Sequence, residues 1–362
     1  MNSNLSVCLH RVCGRPMIDW ELLATAEFGI QKRIVVTTQE DVKSCLEDKV
    51  PCVADLESAM SLCKKEPILI LQGNLPGLTA KLLIQVYEFY KKFNASVTTI
   101  MAGEMEIGRI VHGTSEREQV FRTEDEVYAP VTDRVSLSCR ERMIYQRTAL
   151  QLQMSGVTIS DPSNTYLSPD VTVGRDTVIL PGCYIQNSVI GEECMIGPQT
   201  ELTNMKLGDR VKVKYSVATD SRIGDDTTVG PFAYIRPNST IGEQVKIGDF
   251  VEIKNSVIDT GTKISHLTYV GDSDVGAGVN FGCGTVTVNY DGVHKHRTTI
   301  GDNAFIGCNT NLVAPVTVAP EAFIAAGSTI TEDIPDDCLA IARARQTNIK
   351  GWVSNRKEKK SK

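Results

Sequence analysis

The chain has 362 residues, of which 41% are hydrophobic, 23% charged and 6% aromatic, and its formal net charge is −6. These values favour a folded protein of two domains and argue against nucleic acid as its main partner. No stretch is apolar over the roughly 18 residues that a membrane-spanning helix needs, so we also expect no membrane partner.

The 11 cysteines are an odd number, lie scattered along the chain and include no C-x-x-C pair. Scattered thiols of this kind favour a reducing compartment over a disulfide framework. The amino terminus shows no long apolar run behind a basic start, as a secretory signal would. We therefore expect the protein in the cytoplasm.

Residues 1–135 show the alternation of an α/β domain. Strand-like runs stand at 33–38, 67–71 and 95–101, and a helical pattern occupies 78–92. Alternation of this kind predicts a parallel sheet with helices on its faces.

The next two segments lead out of this domain. Residues 114–134 are polar and poorly periodic, which predicts a loop or a mobile hairpin. Residues 137–156 carry apolar side chains at helical spacing and end on Gly156, a residue suited to terminating a helix. We expect this helix, within 136–156, to join the two domains.

A hexapeptide repeat fills residues 157–340. Neither a helix nor ordinary strand pairing has a period of six, which instead suits a coil with short flat faces and one inward side chain per face. The pattern is interrupted around 256–267, and 289–299 (NYDGVHKHRTT) is polar enough to be a loop extruded from the coil. Residues 341–362 are interpreted as a tail with a solvated basic end. The two regular ladders are Ile223, Val229, Ile235, Ile241, Ile247 and Ile253, and Ile300, Ile306, Leu312, Val318, Ile324 and Ile330.

Four segments of the repeat carry a resemblance to a known family. They are 233–254 (AYIRPNSTIGEQVKIGDFVEIK), 266–271 (HLTYVG), 289–292 (NYDG) and 314–317 (APVT). They closely resemble the acetyltransferase domain of the bifunctional N-acetylglucosamine-1-phosphate uridyltransferase/glucosamine-1-phosphate acetyltransferase family. The resemblance implies a left-handed parallel β-helix that assembles as a homotrimer. The general preference for right-handed crossovers predicts the opposite hand.

The first domain resembles the nucleotidyltransferase domain of the same family only in fragments, such as 9–17 (LHRVCGRPM). We interpret it as a truncated, degenerate, Rossmann-like α/β domain. Where the resemblance implies a lysine, a glycine-threonine pair and a metal-binding aspartate, this chain has Val7, residues 55–57 (DLE) and Asn74. No G-x-G precedes residue 150, although binding a nucleoside triphosphate needs exposed backbone N–H groups and carboxylates for Mg²⁺. We therefore expect uridyltransfer to be lost.

The remaining chemistry is N-acetylation, which needs a base for the amine, donors for an oxyanion and no metal. The resemblance makes His266 the catalytic base, and the pKa of an ordinary histidine suits this role near neutrality; a histidine bonded to backbone is the structural alternative. The sugar phosphate is assigned to Arg236, Lys254, Tyr269, Asn280 and Lys295, with Lys295 reaching across a subunit boundary. Since Arg236 and Lys254 are 18 residues apart, we expect them to stack on neighbouring coils. Two interpretations of Glu252 stay open: it orients a partner, or it forms an ordinary surface salt bridge.

The resemblance assigns acetyl-CoA to Cys283, Cys308, Ala326 and Arg343. Asn289 and Tyr290 match sugar-binding positions of the family and are counted with the acetyl-CoA contacts. Cys283 contributes its backbone N–H, and Arg343 pairs with a phosphate of CoA. Cys308 departs from the family, where serine is common, and a thiol is the weaker hydrogen-bond donor. A nucleophilic Cys308 is the less favoured alternative.

The leading hypothesis is transfer of acetyl from acetyl-CoA to the 2-amine of glucosamine 1-phosphate, for UDP-N-acetylglucosamine and cell-envelope synthesis. Two alternatives stay open. The acceptor is another amino sugar, or the chain is a non-catalytic paralogue that regulates a full-length bifunctional enzyme.

Overall fold

The computed structural model describes residues 1, 3–63, 67–93, 95–113, 117–353 and 356. The first residues of the expected loop at 114–134 and most of the basic end of the tail lie outside the described residues. Contacts divide the chain into two compact units, one of Met1–Ser155 with Asp161–Val171 and one of Gly156–Ser160 with Thr172–Lys362. We call them the N-terminal unit and the β-helix unit.

In its described residues, the N-terminal unit is an α/β unit of short strands and five α-helices. Its helices are Met17–Glu27, Glu40–Leu46, Leu56–Leu62, Ala80–Phe93 and Arg134–Met154, with 3₁₀ turns at Val7–Leu9, Glu126–Tyr128 and Pro162–Asn164. Its strands are Arg11–Val12, Arg15–Pro16, Val35–Val36, Cys52–Val53, Ile68–Leu71, Val97–Ala102, Met105–Val111, Glu118–Thr123 and Tyr166–Leu167.

The prediction of a parallel sheet is wrong for most of this unit. Its largest sheet has the order Ile68–Leu71, Met105–Val111, Val97–Ala102, Glu118–Thr123, and only the last pair is parallel. Val97–Ala102 and Met105–Val111 are joined by only two residues, Gly103 and Glu104, and a connection this short forces antiparallel pairing. The prediction of a loop over 114–134 is also wrong in part, because Glu118–Thr123 is the edge strand of this sheet.

The helix Ala80–Phe93 provides much of the core of the N-terminal unit. Its inner face buries Leu82, Leu83, Val86 and Tyr90 against the sheet. Burial of side chains of this size contributes roughly 1.5–3 kcal/mol each. The helix predicted at 78–92 is therefore confirmed.

The helix predicted at 137–156 is confirmed as Arg134–Met154. Asp133 caps its amino end by accepting from the Ser136 amide at 2.7 Å, and the Ser136 hydroxyl accepts in return from the Asp133 amide. Gly156 follows with φ +103°, a conformation that favours glycine and ends the helix.

The β-helix unit is a left-handed parallel β-helix of three sheets, which confirms the predicted fold. The first face consists of Tyr184–Gln186, Glu201–Thr203, Val217–Thr219, Tyr234–Ile235, Glu252–Lys254, Tyr269–Gly271, Val286–Val288, Asn311–Val313 and Thr329–Ile330. The second face consists of Thr172–Val173, Val189–Ile190, Lys206–Leu207, Arg222–Ile223, Thr240–Ile241, Val257–Ile258, Ser273–Val275, Thr298–Ile300 and Val316–Val318. The third face consists of Thr158–Ile159, Val178–Ile179, Met195–Ile196, Lys212–Val213, Thr228–Val229, Lys246–Asp249, Lys263–His266, Asn280–Phe281, Phe305–Ile306, Phe323–Ile324 and Leu339–Ala340.

The apolar ladders form the interior of this coil. All twelve ladder residues are buried, from Ile223 to Ile330. Each inward residue stands beside its counterpart in the next coil, as Ile235 does beside Ile253 and Ile253 beside Val270. One buried aliphatic side chain per face and coil thus sets the six-residue period.

The predicted interruption at 256–267 is wrong. Strands Val257–Ile258 and Lys263–His266 continue their faces, and the pairing of Ile247 with Ile264 shows that this coil is only one residue shorter than an 18-residue coil. The predicted loop at 289–299 is confirmed: it leaves the first face after Val286–Val288, forms a bridge between Tyr290 and Lys295, and returns at Thr298–Ile300.

No helix among the described residues has the length and apolar character needed to cross a membrane.

Candidate active site

One corner of the coil, where the third face turns into the first, collects polar and thiol side chains on successive turns. Asp249 and His266 are direct partners in the register of the third face. The same register, continued through the pairs Lys263–Asn280, Asn280–Phe305 and Phe305–Phe323, places Cys283, Cys308 and Ala326 in the next three coils at this position. We call the five residues Asp249, His266, Cys283, Cys308 and Ala326 the histidine corner.

His266 is held by a carboxylate. Its Nδ1 lies 2.6 Å from Asp249 Oδ1, and both side chains are accessible, with 59% and 38% of their surface exposed. This hydrogen bond is the main reason that the pKa of Asp249 lies below its usual value. Since a carboxylate only accepts, Nδ1 is the donor in this bond, and Nε2 is the ring nitrogen left to accept a proton. A histidine so oriented is suited to accept a proton from a bound amine.

Asp249 is the residue that sequence reasoning missed. It stands 17 residues before His266, which is one coil at the local length. Counting the coil length around His266 would identify Asp249, but the prediction treats the segment 256–267 as an interruption of the coil.

Three cations gather at the far end of the first face. The pairing of Ile235 with Ile253 puts Arg236 and Lys254 on neighbouring coils, as predicted, and the Arg236 amide donates to the Ile253 carbonyl at 2.8 Å. The neighbouring Lys295 ammonium lowers the pKa of Lys254, with burial adding to the effect. We call Arg236, Lys254 and Lys295 the basic cluster. In the single chain described, Lys295 joins the cluster from the extruded loop of the same chain; its predicted reach across a subunit boundary stays a prediction.

Glu252 contacts one of these cations. Its Oε1 accepts from Arg236 Nη1 at 2.8 Å, and this bond raises the pKa of Arg236. Tyr269 is the partner of Glu252 in the next coil, so its ring stands in the same outward column. The structure thus shows the salt bridge, and the orienting role of Glu252 stays a prediction.

The extruded loop that carries Lys295 is fastened at both ends. At its start, the buried Asn289 donates to Asp272 Oδ2 and lies 3.5 Å from the Tyr269 hydroxyl. At its end, Arg297 Nε donates to Asp274 Oδ2 at 2.8 Å. These anchors were not predicted.

The tip of the loop is ordered by Asp291. Its carboxylate accepts from the amides of Val293 and His294 and from His296 Nε2, which lowers the pKa of Asp291 to about 2. Lys295 therefore projects from a braced loop.

The structure separates the predicted acetyl-CoA residues into two groups. Cys283, Cys308 and Ala326 lie along the histidine corner, and Arg343 reaches its end, where the Arg343 side chain lies beside Gly327. Asn289 and the exposed Tyr290 lie at the loop instead, with the basic cluster and Tyr269. This grouping therefore does not favour the assignment of Asn289 and Tyr290 to acetyl-CoA.

Asn280 stands apart from the other predicted sugar contacts. It lies on the third face between Lys263 and Phe305, three residues before Cys283. The corner thus separates it from Tyr269, which is on the first face.

In the N-terminal unit, the positions expected to bind a nucleotide have structural roles. Asn74 donates through Nδ2 to the Val131 carbonyl at 2.8 Å, and Asp55 caps the helix Leu56–Leu62 through the Ser58 amide. Among the described residues, no three His, Cys, Asp or Glu side chains cluster in a way that would hold a metal ion.

Comparison with known proteins places the chain. A model of the family described as "Bacterial transferase hexapeptide (six repeats)" matches residues 170–204, 220–255 and 297–332. The bifunctional protein GlmU of Geobacillus sp. (strain WCH70) is 38% identical over 442 positions, covering 100% of this chain and 96% of the relative. The chain belongs to the GlmU family. The match to the hexapeptide family and the membership in the GlmU family together support the conclusion that this chain is an acyltransferase of the hexapeptide class.

Two further comparisons have narrower coverage. The GlmU protein of Clostridium beijerinckii is 52% identical over 239 residues, or 66% of this chain and 52% of the relative. Among solved structures, an Arabidopsis UDP-N-acetylglucosamine acyltransferase matches with 17% identity and a TM-score of 0.42 over 53% of this chain and 75% of that chain.

The full-length alignment also shows what this chain lacks relative to the GlmU family. The match to the Geobacillus protein extends over 442 positions although this chain has 362 residues, so at least 80 positions of the alignment face gaps in it. The shortening relative to the family is therefore real.

Proposed function

We propose that the β-helix unit transfers acetyl from acetyl-CoA to the 2-amine of glucosamine 1-phosphate. The observation that carries this proposal is that the His266–Asp249 pair lies at the corner before the first-face strands Glu252–Lys254 and Tyr269–Gly271, while the basic cluster lies at the far end of these strands. At about 3.3 Å per residue, a three-residue strand spans about 7 Å between its terminal Cα atoms. Amine and phosphate stand on neighbouring carbons of this sugar, so one bound molecule would present its amine to the corner and its phosphate to the basic cluster.

The basic cluster would bind the phosphate. Lys254 and Lys295 lie close enough that the second ammonium disfavours the charge on the first, and Arg236 adds to the repulsion. A phosphate dianion placed among them relieves this repulsion and accepts hydrogen bonds from all three. Glu252 fixes the direction of the Arg236 guanidinium, and Tyr269 borders the sugar.

His266 would act as the general base. The 2-amine attacks the thioester carbonyl carbon while Nε2 of His266 accepts an amine proton, and Asp249 stabilises the imidazolium that results. The tetrahedral intermediate carries its negative charge on the former carbonyl oxygen, toward which we assign the Cys283 amide as donor. The intermediate then collapses, the carbon–sulfur bond breaks, and the CoA thiolate leaves with the proton from His266.

Acetyl-CoA would lie along the histidine corner. Neighbouring coils are about 4.8 Å apart, so Ala326 is about 14 Å from His266 along the helix axis. The small side chain of Ala326 leaves room for the pantetheine arm, and the exposed Arg343 would meet a phosphate of CoA. Cys308 lies between them, where its thiol is a weak donor near the thioester.

We further propose that the N-terminal unit has lost uridyltransfer and that the chain forms a homotrimer. The first point is supported by the structural roles of Asn74 and Asp55. The second is supported by the exposed rings of Phe232 and Phe250, which stack with centroids 5.4 Å apart and offer an apolar surface to a neighbouring copy. Light scattering on the purified protein tests the trimer, and a monomeric mass at micromolar concentration contradicts it.

Release of the CoA thiol with glucosamine 1-phosphate and acetyl-CoA tests the main proposal. We expect release that depends on the sugar phosphate, and a loss of about 10²- to 10⁴-fold in kcat for His266→Ala, the usual range for a general base. His294→Ala, a histidine exposed in the extruded loop, is the matched control. Thiol release only with another amino sugar would reassign the acceptor, and an active His266→Ala variant would refute the base.

A further inference from the structure

The corner at which the first face turns into the second carries a row of hydrogen-bonded side chains. On six coils one residue of this row directly follows the first-face strand: Asn187, Asn204, Asp220, Asn255, Asp272 and Asn289. In the early coils the bonds run one way, because Asn187 Nδ2 donates to Asn204 Oδ1 and Asn204 Nδ2 donates to Asp220 Oδ1, both at 2.7 Å. Bonds of this kind tie neighbouring coils together.

In the later coils two donors converge on Asp272, a residue to which the proposed function gives no role. Asn255 Nδ2 donates to Asp272 Oδ1 at 2.5 Å from one side, and Asn289 Nδ2 donates to Asp272 Oδ2 from the other. A carboxylate only accepts, so each of its two oxygens serves one neighbour. Asp272 is only 5% exposed, so little water competes for these bonds.

Asp272 also contacts both ends of the extruded loop. Its carboxylate holds Asn289, where the loop leaves the first face. Its carbonyl accepts from the Thr298 amide at 3.1 Å, where the loop returns to the second face. The position of the loop, and with it the position of Lys295, therefore depends on Asp272.

The carboxylate supplies negative charge next to the basic cluster. The Asp272 amide donates to the Lys254 carbonyl at 2.9 Å, which places the two residues on adjoining coils. The neighbouring Lys295 ammonium lowers the pKa of Lys254, burial and Arg236 add to this effect, and the charge of Asp272 opposes it. Two ammonium groups without a bound anion repel each other, so holding them together needs a counter-charge and a fixed loop.

We propose that Asp272 is a positioning residue of the phosphate site: its carboxylate anchors the start of the extruded loop and keeps Lys254 and Lys295 side by side before the phosphate enters. That the cluster receives a sugar phosphate rests on the proposed function. A phosphate that enters an assembled cluster does not have to order the loop, which favours tight binding.

A purely electrostatic role of Asp272 predicts the opposite effect on binding. A fixed negative charge near the basic cluster repels the phosphate dianion, so its removal would strengthen phosphate binding if the two lysines kept their places. If Asp272 positions the loop, its loss lets Lys295 move away from Lys254 and weakens phosphate binding. The direction of the change in KM for the sugar phosphate therefore separates the two roles.

The substitution Asp272→Asn tests the proposal in the full chain. Asparagine offers one oxygen in place of two, so one of the two donors loses its acceptor, and the negative charge is removed. The KM for glucosamine 1-phosphate in the thiol-release assay should rise about tenfold, while kcat and the KM for acetyl-CoA stay within about twofold. Amide hydrogen exchange in the free protein should become at least about tenfold faster at His296 and Thr298. The amides of these residues donate to the carbonyls of Asn289 and Asp272 at 2.9 and 3.1 Å.

Two further variants serve as controls. Asp220→Asn makes the same change at the same corner position, where Asp220 accepts from Asn204, and should behave as wild type in both measurements. Asn289→Ala removes the bond to Asp272 from the side of the loop and keeps the carboxylate. It should speed exchange at His296 as Asp272→Asn does, and it decides the anchoring role if the Asp272 variant does not fold.

Three results would overturn the proposal. A KM for the sugar phosphate that is unchanged or lower in Asp272→Asn means that the two lysines keep their places without the carboxylate. Unchanged exchange at His296 and Thr298 means that the loop does not depend on it. Equal changes in Asp220→Asn would assign the effects to the coil as a whole.

Exchange in the free protein does not depend on the proposed function. If the wild-type chain releases no thiol with glucosamine 1-phosphate, the acetyl-transfer proposal fails, and the exchange rates at His296 and Thr298 alone decide whether Asp272 anchors the loop. Faster exchange in Asp272→Asn then supports the anchoring role, and unchanged exchange refutes it.

Discussion

The substitution Asp249→Asn isolates the role of the carboxylate that holds His266. Asparagine keeps the size of the side chain and an oxygen that can accept from Nδ1, but it removes the negative charge 2.6 Å from the imidazole. The charge stabilises the imidazolium that forms as the amine attacks, so its loss acts on the transition state. Because both side chains are partly exposed, water screens the pair. We expect kcat to fall about tenfold, less than the 10²- to 10⁴-fold loss for His266→Ala.

A thiol-release assay separates this effect from a general structural one. The KM values for both substrates should stay within about twofold, because Asp249 contacts neither substrate in this account. Asp249→Glu should recover part of the activity, and Asp336→Asn, at an exposed carboxylate outside the corner, should behave as wild type. An unchanged kcat in Asp249→Asn, or a loss confined to KM, would refute the positioning role.

Three further predictions concern other parts of the molecule. Lys254→Met should raise KM for the sugar phosphate about tenfold or more with little change in KM for acetyl-CoA, since it removes one phosphate donor; initial rates measure both. Cys308→Ser should raise kcat by up to about tenfold, because a hydroxyl is a better donor than a thiol, and a lower kcat contradicts this. Burial raises the pKa of Glu21 to about 8 in the folded state against 4.5 unfolded, so the free energy of unfolding should fall as pH rises through this window. Between pH 5 and 8.5 this fall should be about 4 kcal/mol, and Glu21→Gln should abolish it. Urea unfolding followed by Trp20 fluorescence measures it.

The β-helix was predictable from sequence because its core obeys a local rule. One aliphatic side chain enters the interior per face, so the ladder from Ile223 to Ile253 gives the period, the register and the inward residues together. The same rule predicted that Arg236 and Lys254 stack. This rule assumes a fixed coil length of 18 residues. The 17-residue coil around His266 therefore resembles an interruption in the sequence.

The N-terminal unit was harder to predict because its sheet is set by connections that leave a weak trace. The two-residue link at Gly103 and Glu104 makes its flanking strands antiparallel. The apolar patterns of those strands do not indicate strand direction. The strand Glu118–Thr123 lies at the edge of its sheet and has alternating exposed residues. Because its composition is polar, the sequence predicts a loop there.

The candidate site was predicted in part. The resemblance to the family supplied His266 and the basic cluster, and the sequence also singled out Glu252. The structure added Asp249 and Arg297 and showed that Glu252 contacts Arg236. Such contacts join residues from different coils or from the two ends of a loop. A single sequence does not reveal them unless the coil lengths are counted residue by residue.

The central claim is that this chain keeps acetyl transfer and lacks uridyltransfer. One purified sample, divided between two assays, tests it most directly: thiol release with acetyl-CoA and glucosamine 1-phosphate, and pyrophosphate release with UTP, N-acetylglucosamine 1-phosphate and Mg²⁺. The account predicts thiol release that requires the sugar phosphate and His266, with no pyrophosphate above background. Pyrophosphate release, or the absence of any thiol release, would contradict it.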